Sequence, residues 1–229
     1  MRHGLSAILV AGAVLLNGAV AGAAPFSVQL GPDRLVLDTP AGFADSAGFG
    51  SPRLTEFAEN LADPSNRVLV FALSDSDFRR FSAGDALEFR RYLLAVTPRA
   101  KERERMTVAQ FGKLVEEIER NFDAGFETPE DYRIYLGSRP AGQARLLEKL
   151  RRDPQLVSLL YGTMVPQPPP SMWREAKPPV FKLSTTTLAL IGGRALYFSA
   201  FSAYDSPADV LWIRAMTESW IEELQRLNR

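Results

Sequence analysis

The chain has 229 residues, of which 46% are hydrophobic, and this is enough to bury the core of one domain. It carries 27 basic and 27 acidic residues, so it lacks the excess positive charge of proteins that bind nucleic acid. It has no cysteine, which excludes disulfides, and His3 is its single histidine. We therefore expect no metal site with His or Cys ligands, and no cofactor.

The first 23 residues are typical of a signal peptide. Arg2 precedes an apolar run over residues 5–16, and Ala21-Gly22-Ala23 offers the small residues of a cleavage site. The alternative is an uncleaved membrane anchor, because residues 4–24 are just long enough to span a bilayer. Its many Gly and Ala residues make the run weakly hydrophobic, so we favour cleavage near Ala23. We expect residues 24–229 to form one domain that is periplasmic or secreted, with no integral membrane span.

The mature chain begins with a predicted β-hairpin. Apolar and polar residues alternate over 26–30, Gly31-Pro32 supplies turn residues, and an apolar run resumes at 35–37. After a glycine-containing loop, Ser51-Pro52 has the pattern of a helix N-cap followed by proline, which predicts a short helix.

Two apolar runs, at residues 68–73 and 90–96, predict strands, the first covered on both faces of its sheet. The charged stretch 99–105 predicts a solvated loop or the start of a helix. Thr107 and Gln110 have the spacing of a capping box, so a helix should follow. Its expected apolar stripe consists of Val108, Phe111, Val115, Ile118 and Phe122.

Residues 141–152 predict a second helix, in which Leu146, Leu147 and Leu150 would pack and which Pro154 would end or kink.

A proline-rich segment, residues 166–179, is the sharpest departure from regular structure. It contains Pro168, Pro169, Pro170 and Trp173. A segment with so many prolines must be extended and cannot join the interior of a sheet. A pre-extended chain loses little entropy on docking, and tryptophan contributes strongly to interfaces, so these residues are our candidates for a partner contact. The alternative is a rigid connector with Trp173 folded onto the body of the domain.

The C-terminal third predicts a hairpin and a long helix. Residues 180–191 and 195–201 flank Gly192-Gly193, which fits a two-residue turn with positive φ. Ser206-Pro207 should then start a helix that lies across the sheet. The predicted fold class is α+β: an antiparallel sheet of about five to six strands flanked by helices, with a helical and proline-rich insertion.

Catalytic motifs are scarce. Without a histidine beyond His3 there is no Ser-His-Asp or Cys-His machinery, and no motif for nucleotide or acyl chemistry is present. Asp75 and Asp77 follow a predicted strand, and alternation along it would put both on one side, as a carboxylate pair for glycoside chemistry requires. Equally, their side chains could satisfy turn amides. The residues after them lack the glycine and glutamate of an EF-hand calcium loop.

The phrase Leu35-Val36-Leu37-Asp38-Thr39-Pro40-Ala41-Gly42-Phe43 resembles the strand, proline, glycine and aromatic entry of PsbP-like α+β proteins. The Gly192-Gly193 hairpin and the long terminal helix are similar to the end of those proteins. The resemblance implies an antiparallel sheet flanked by helices, and an accessory or cell-envelope role instead of catalysis. Phe43 stands where a tryptophan is common, and residues 106–179 have no counterpart, so the resemblance assigns no functional residue.

Two functional hypotheses follow. The first is a non-catalytic exported protein that binds another cell-envelope component through the proline-rich segment. The second is a carboxylate-dependent hydrolase or glycan-binding protein that uses Asp75 and Asp77. The lack of histidine and cysteine favours the first, because a catalyst would have to work without the commonest general base.

Overall fold

The computed structural model describes residues 24–46, 49–120, 129–167 and 178–229. Over these ranges the chain forms a seven-stranded antiparallel sheet and a separate two-stranded hairpin. The hairpin consists of β1 (Phe26–Leu30) and β2 (Asp33–Leu37). The large sheet has the order β3-β4-β5-β9-β8-β7-β6. Its strands are β3 (Phe43–Asp45), β4 (Asn66–Ser74), β5 (Arg91–Pro98), β6 (Arg145–Asp153), β7 (Leu156–Met164), β8 (Phe181–Ile191) and β9 (Arg194–Ala203).

Helices lie on both faces of the sheet. They are α1 (Pro52–Leu61), α2 (Asp75–Ala83), α3 (Val108–Arg120), α4 (Tyr132–Gly137) and α5 (Pro207–Leu227). The α+β class, with an antiparallel sheet flanked by helices, is therefore confirmed. The large sheet has seven strands instead of the expected five to six, because β3, β6 and β7 were not predicted, whereas the predicted β1 and β2 form the separate hairpin.

One face of the sheet is covered by α5 together with the β1–β2 hairpin and α4. Their apolar side chains join those of the strands in the largest cluster of the core. On α5, Trp220 packs edge-on against Phe198 of β9, with ring centroids 5.3 Å apart. Its indole Nε1 donates a 2.9 Å hydrogen bond to the backbone oxygen of Asp38, just after β2. The terminal helix thus lies across the sheet, as predicted, and also holds the hairpin in place.

The opposite face carries two separate apolar clusters. One lies under α1 and α2 and covers β4 and β5. The other lies under α3 and covers β7 and β8, with Phe111 and Val115 of the helix fully buried. Strand β9 runs between these clusters, and its side chains on this face, at Tyr197, Ser199 and Phe201, are partly exposed. This face is therefore covered at its sides and more open along its middle.

The helix predicted over residues 141–152 is wrong, since residues 145–153 form strand β6. Both faces of this strand are covered, so consecutive leucines can be buried on opposite sides: Leu146 joins the cluster under α3 and Leu147 joins the main core. Register shifts after Leu146 and Lys149 then change the phase of the alternation. Leu147 and Leu150 consequently share one face at a spacing of three, which imitates a helix.

The stretch expected to be a helical and proline-rich insertion also supplies two strands of the main sheet. Pro154 does not end a helix there but lies in the turn between β6 and β7. Strand β7 pairs with β8 along its whole length, from Leu156 opposite Ala189 to Met164 opposite Phe181. The helical part of that expectation is met by α3 and α4.

The helix starts predicted at Ser51-Pro52, Thr107 and Ser206-Pro207 are confirmed. Thr107 Oγ1 accepts a hydrogen bond from the backbone of Gln110, whose side chain accepts one from the backbone of Thr107, so the capping box is closed. Ser206 and Asp209 form a second box at the start of α5. In the predicted stripe of α3, Val108 is exposed, and Phe122 lies outside the described residues.

Both predicted hairpins are confirmed. Gly192 and Gly193 connect β8 to β9 with φ values of 57° and 76°, a backbone conformation that residues other than glycine rarely adopt. None of the helices in the described part of the chain is both long and apolar enough to cross a membrane. Residues 1–23, with the predicted signal peptide, lie outside the described ranges.

Candidate functional site

The proline-rich segment begins and ends at a closed hairpin. Beyond the last β7–β8 pair, the backbone N–H of Val165 donates a 2.8 Å hydrogen bond to the carbonyl of Val180. Residues 166–179 therefore lie between two positions that are already hydrogen-bonded to each other. The predicted contact residues Pro168, Pro169, Pro170 and Trp173 lie outside the described residues, so their role stays a prediction.

The candidate carboxylates Asp75 and Asp77 belong to a helix and not to a strand end. Strand β4 ends at Ser74, which is the N-cap of α2, and both aspartates lie in the first turn of this helix. The expected alternation does not apply there, because residues two apart on a helix do not face each other. The structure therefore does not bring the two carboxylates together.

Asp77 is only 2% exposed and is occupied by local hydrogen bonds. Its Oδ1 accepts the backbone N–H of Glu88 at 2.8 Å, and its backbone N–H donates to the Ser74 hydroxyl at 3.2 Å. It thereby joins the start of α2 to the loop that leads into β5. Asp75 is exposed. Of the two interpretations of this pair, satisfaction of loop amides is the one that the contacts of Asp77 match.

A cluster that the sequence did not indicate lies beside the base of the proline-rich segment. Lys182 is the second residue of β8 and points to the open middle of the sheet, where it is partly buried. Its ammonium Nζ donates a 3.1 Å hydrogen bond to the hydroxyl of Tyr92 on β5. Strand β9 separates these two strands, and its Phe201 stacks on Tyr92 with ring centroids 4.3 Å apart.

The aromatic rings also hold the lysine directly. The Lys182 ammonium lies 5.0 Å from the centroid of the Tyr92 ring and 5.7 Å from that of Phe201, within the range of cation–π attraction. Tyr92 is itself fixed by an edge-on contact with Phe89, 5.9 Å between centroids. The lysine ammonium is therefore held by two aromatic side chains, Tyr92 on β5 and Phe201 on β9, and Tyr92 is in turn packed against the loop before β5.

Burial shifts both titratable groups of this pair. It lowers the pKa of the Lys182 ammonium, because a charged group loses hydration when it is buried. It raises the pKa of the Tyr92 hydroxyl to about 12, because the phenolate would be the charged form. Tyr92 is therefore a neutral hydrogen-bonding group at neutral pH. Perturbed groups of this kind cluster at functional sites, which makes the pair a candidate.

The other face of the sheet has a small polar cavity of about 270 Å³ between α5 and strands β6 to β8. Two of its charged groups pair with each other, since Arg214 of α5 forms an ion pair with Glu148 of β6. The hydroxyls of Ser158 and Thr187 are likewise paired, 2.7 Å apart. In the described part of the chain, no group of three His, Cys, Asp or Glu side chains is arranged to hold a metal ion.

The Lys182 cluster was missed because its members are ninety residues apart in sequence and meet only through strand pairing. One feature could have indicated it. Lys182, Ser184 and Thr186 alternate along a strand that is otherwise buried, so one face of β8 was marked as polar. That pattern indicates a sheet face that is partly open. The aromatic partners of Lys182, however, can be identified only once the strand order is known.

The comparisons with known proteins add no assignment. No protein-family model matches the chain, and no curated protein is significantly similar to it in sequence.

Proposed function

We propose that this protein is a non-catalytic, exported cell-envelope protein that acts as a binding or accessory factor. In this proposal the signal peptide is removed near Ala23, and the mature domain works in the periplasm or outside the cell. It contacts another envelope protein through the proline-rich segment at residues 166–179.

The observation that supports the proposal is the hydrogen bond between Val165 and Val180. The β7–β8 hairpin is complete at that point, and a two-residue turn would be enough to close it. The chain instead continues through residues 166–179 before it returns to the sheet. Connections of this length in a compact domain are uncommon, and they are most often functional or linking segments.

The composition of the segment favours a contact with another protein. Consecutive prolines restrict the unbound chain, so ordering it on a partner costs less entropy than ordering a flexible loop. Trp173 adds a large side chain of the type that dominates binding energy at interfaces. The resemblance of residues 35–43 to PsbP-like proteins points the same way, since accessory roles prevail among exported members of that family.

In-cell crosslinking of the tagged, exported protein, followed by affinity purification and mass spectrometry, tests this contact. We expect one discrete partner, captured by the native chain and lost or strongly reduced with Trp173→Ala. The matched control is Ile134→Ala, which removes another large apolar side chain, 73% exposed on α4, and should leave capture unchanged. Equal capture by the native chain and Trp173→Ala would contradict the proposed contact.

Export is tested separately by mass spectrometry of the N-terminus of the protein recovered from the periplasm, the medium and the membrane fraction. We expect a mature chain that begins near Ala24. Recovery of the intact N-terminus in the membrane fraction would instead favour the anchor.

A further inference from the structure

The strongest unexplained feature of the molecule is the ammonium of Lys182. Buried charges in proteins are normally paired with an opposite charge, because they lose the hydration they have in water. Lys182 is partly buried, yet across the ranges that the structure describes no Asp or Glu carboxylate lies within 4.0 Å of its ammonium. Its hydrogen bond to the neutral Tyr92 hydroxyl does not neutralise the charge.

The hydroxyl of Tyr92 also lacks part of its expected hydrogen bonding. Tyr92 is 2% exposed, and its hydroxyl has no hydrogen-bond partner among the described residues other than Lys182. A lysine ammonium has three donors and no acceptor, so Tyr92 can only accept in this contact. Among the residues that the structure describes, the proton of the hydroxyl therefore has no acceptor. This proton can be donated to a ligand oxygen.

The unpaired ammonium and the unused hydroxyl proton lie next to each other. Lys182 has two N–H donors beyond the one given to Tyr92, and Tyr92 has its O–H. These donors belong to groups 3.1 Å apart, and Lys182, unlike Tyr92, is partly exposed on this face of the sheet. The hydroxyls of Ser184 and Ser199 lie on the same face and are partly exposed. A ligand oxygen at this position would meet a positive charge and several donors, with no described carboxylate in contact to repel it.

We infer that Lys182 and Tyr92 form a binding site for an oxyanion, the carboxylate or phosphate group of a ligand. The oxyanion takes hydrogen bonds from the ammonium and the phenol at once, and the Tyr92 and Phe201 rings hold the ammonium in place for it. The site stands whether or not residues 166–179 bind a partner, because none of its side chains belongs to that segment.

Titration followed by NMR tests the site with small probes. Sodium acetate and inorganic phosphate are added separately to the full mature protein, with sodium chloride at equal ionic strength as the reference. The signals followed are the Lys182 side chain and the backbone amides of β8 and β9. The variants are Lys182→Met, which removes the charge and keeps the stem, and Tyr92→Phe, which removes the hydroxyl and keeps the ring. Lys113→Met, at an exposed position of α3, is the control.

We expect saturable shifts with acetate or phosphate, and the probe that saturates at the lower concentration identifies the preferred group. Lys182→Met should abolish the saturation. Tyr92→Phe should weaken binding about tenfold, as the loss of one charge-assisted hydrogen bond predicts. Lys113→Met should bind like the native protein. The inference is overturned if neither probe saturates, if chloride gives the same shifts, or if Lys182→Met still binds.

Discussion

The guanidinium of Arg194, on β9, donates a 2.9 Å hydrogen bond from Nε to the carboxylate of Asp33 at the start of β2. Arg194 is 2% exposed, and its Nη1 also donates to the backbone oxygen of Glu102 at 3.2 Å. One side chain of the main sheet thus holds both the separate β1–β2 hairpin and the charged loop after β5.

Replacing Arg194 with methionine should lower the free energy of unfolding by about 2 to 4 kcal/mol, because it leaves Asp33 and the Glu102 carbonyl without their buried partner. Urea denaturation followed by circular dichroism measures the change. Arg226→Gln is the control, since its ion pair with Glu223 is exposed and such pairs contribute little. A native-like midpoint for Arg194→Met would contradict the claim that Arg194 stabilises the hairpin and the loop.

Asn228, just after α5, should anchor the end of the helix to the hairpin. Its side chain accepts a 2.9 Å hydrogen bond from the backbone of Val36 and donates to the Val36 carbonyl at 2.7 Å. Asn228→Ala should cost about 1 to 3 kcal/mol of stability, the sum expected for these partly buried bonds. Hydrogen exchange should accelerate in β1 and β2 and not in β8. Uniform acceleration across the molecule would contradict a local anchor.

Asp77 and Asp75 should behave differently although both were candidates for one site. Asp77→Ala leaves the Glu88 amide without its acceptor and should cost about 1 to 3 kcal/mol, measured by thermal or urea unfolding. Asp75→Ala, at an exposed position, should leave stability nearly unchanged. If purified protein binds or cleaves a glycan and Asp75→Asn abolishes this, the carboxylate-dependent function is favoured over the binding factor.

Tyr92 should make the protein sensitive to alkali. The pKa of its hydroxyl is raised from 10.0 to about 12 in the folded state, so above pH 10 the unfolded chain loses its proton first. Stability contributed by this group is therefore complete below pH 10 and falls as the pH rises toward 12. The stability of Tyr92→Phe should decline less between pH 10 and about 12, as measured by urea unfolding at each pH.

Part of this decline should remain in Tyr92→Phe, because burial also raises the pKa of Tyr161 to about 12. Identical alkaline slopes for the native protein and the variant would contradict a buried, neutral Tyr92.

The parts of the fold that the sequence predicted are those set by local interactions. The capping box at Thr107 and the Gly192-Gly193 turn each involve residues close together in the chain, so their spacing alone identifies them. The prediction of a helix over strand β6 was wrong because the register shifts of this strand depend on its partner β7. The pattern of leucines on one strand cannot reveal where a neighbouring strand forces an extra residue out of alignment.

The candidate site divides in the same way. The proline-rich segment can be recognised from its composition alone. The hydrogen bond between Val165 and Val180 adds only the positions at which the segment begins and ends. The pairing of Lys182 with Tyr92 requires the order β5-β9-β8, which no local pattern encodes. Asp75 and Asp77 were expected near the end of a strand, but α2 begins directly after β4 without an intervening loop, so both lie on the helix.

The most direct test of the central claim is to replace residues 166–179 with Asn-Gly, so that Val165 and Val180 are joined by a two-residue turn. We predict an unchanged circular dichroism spectrum, a stability close to that of the native protein, and complete loss of the crosslinked partner. Partner capture at the native level by this shortened protein would contradict the claim that the segment is the binding element.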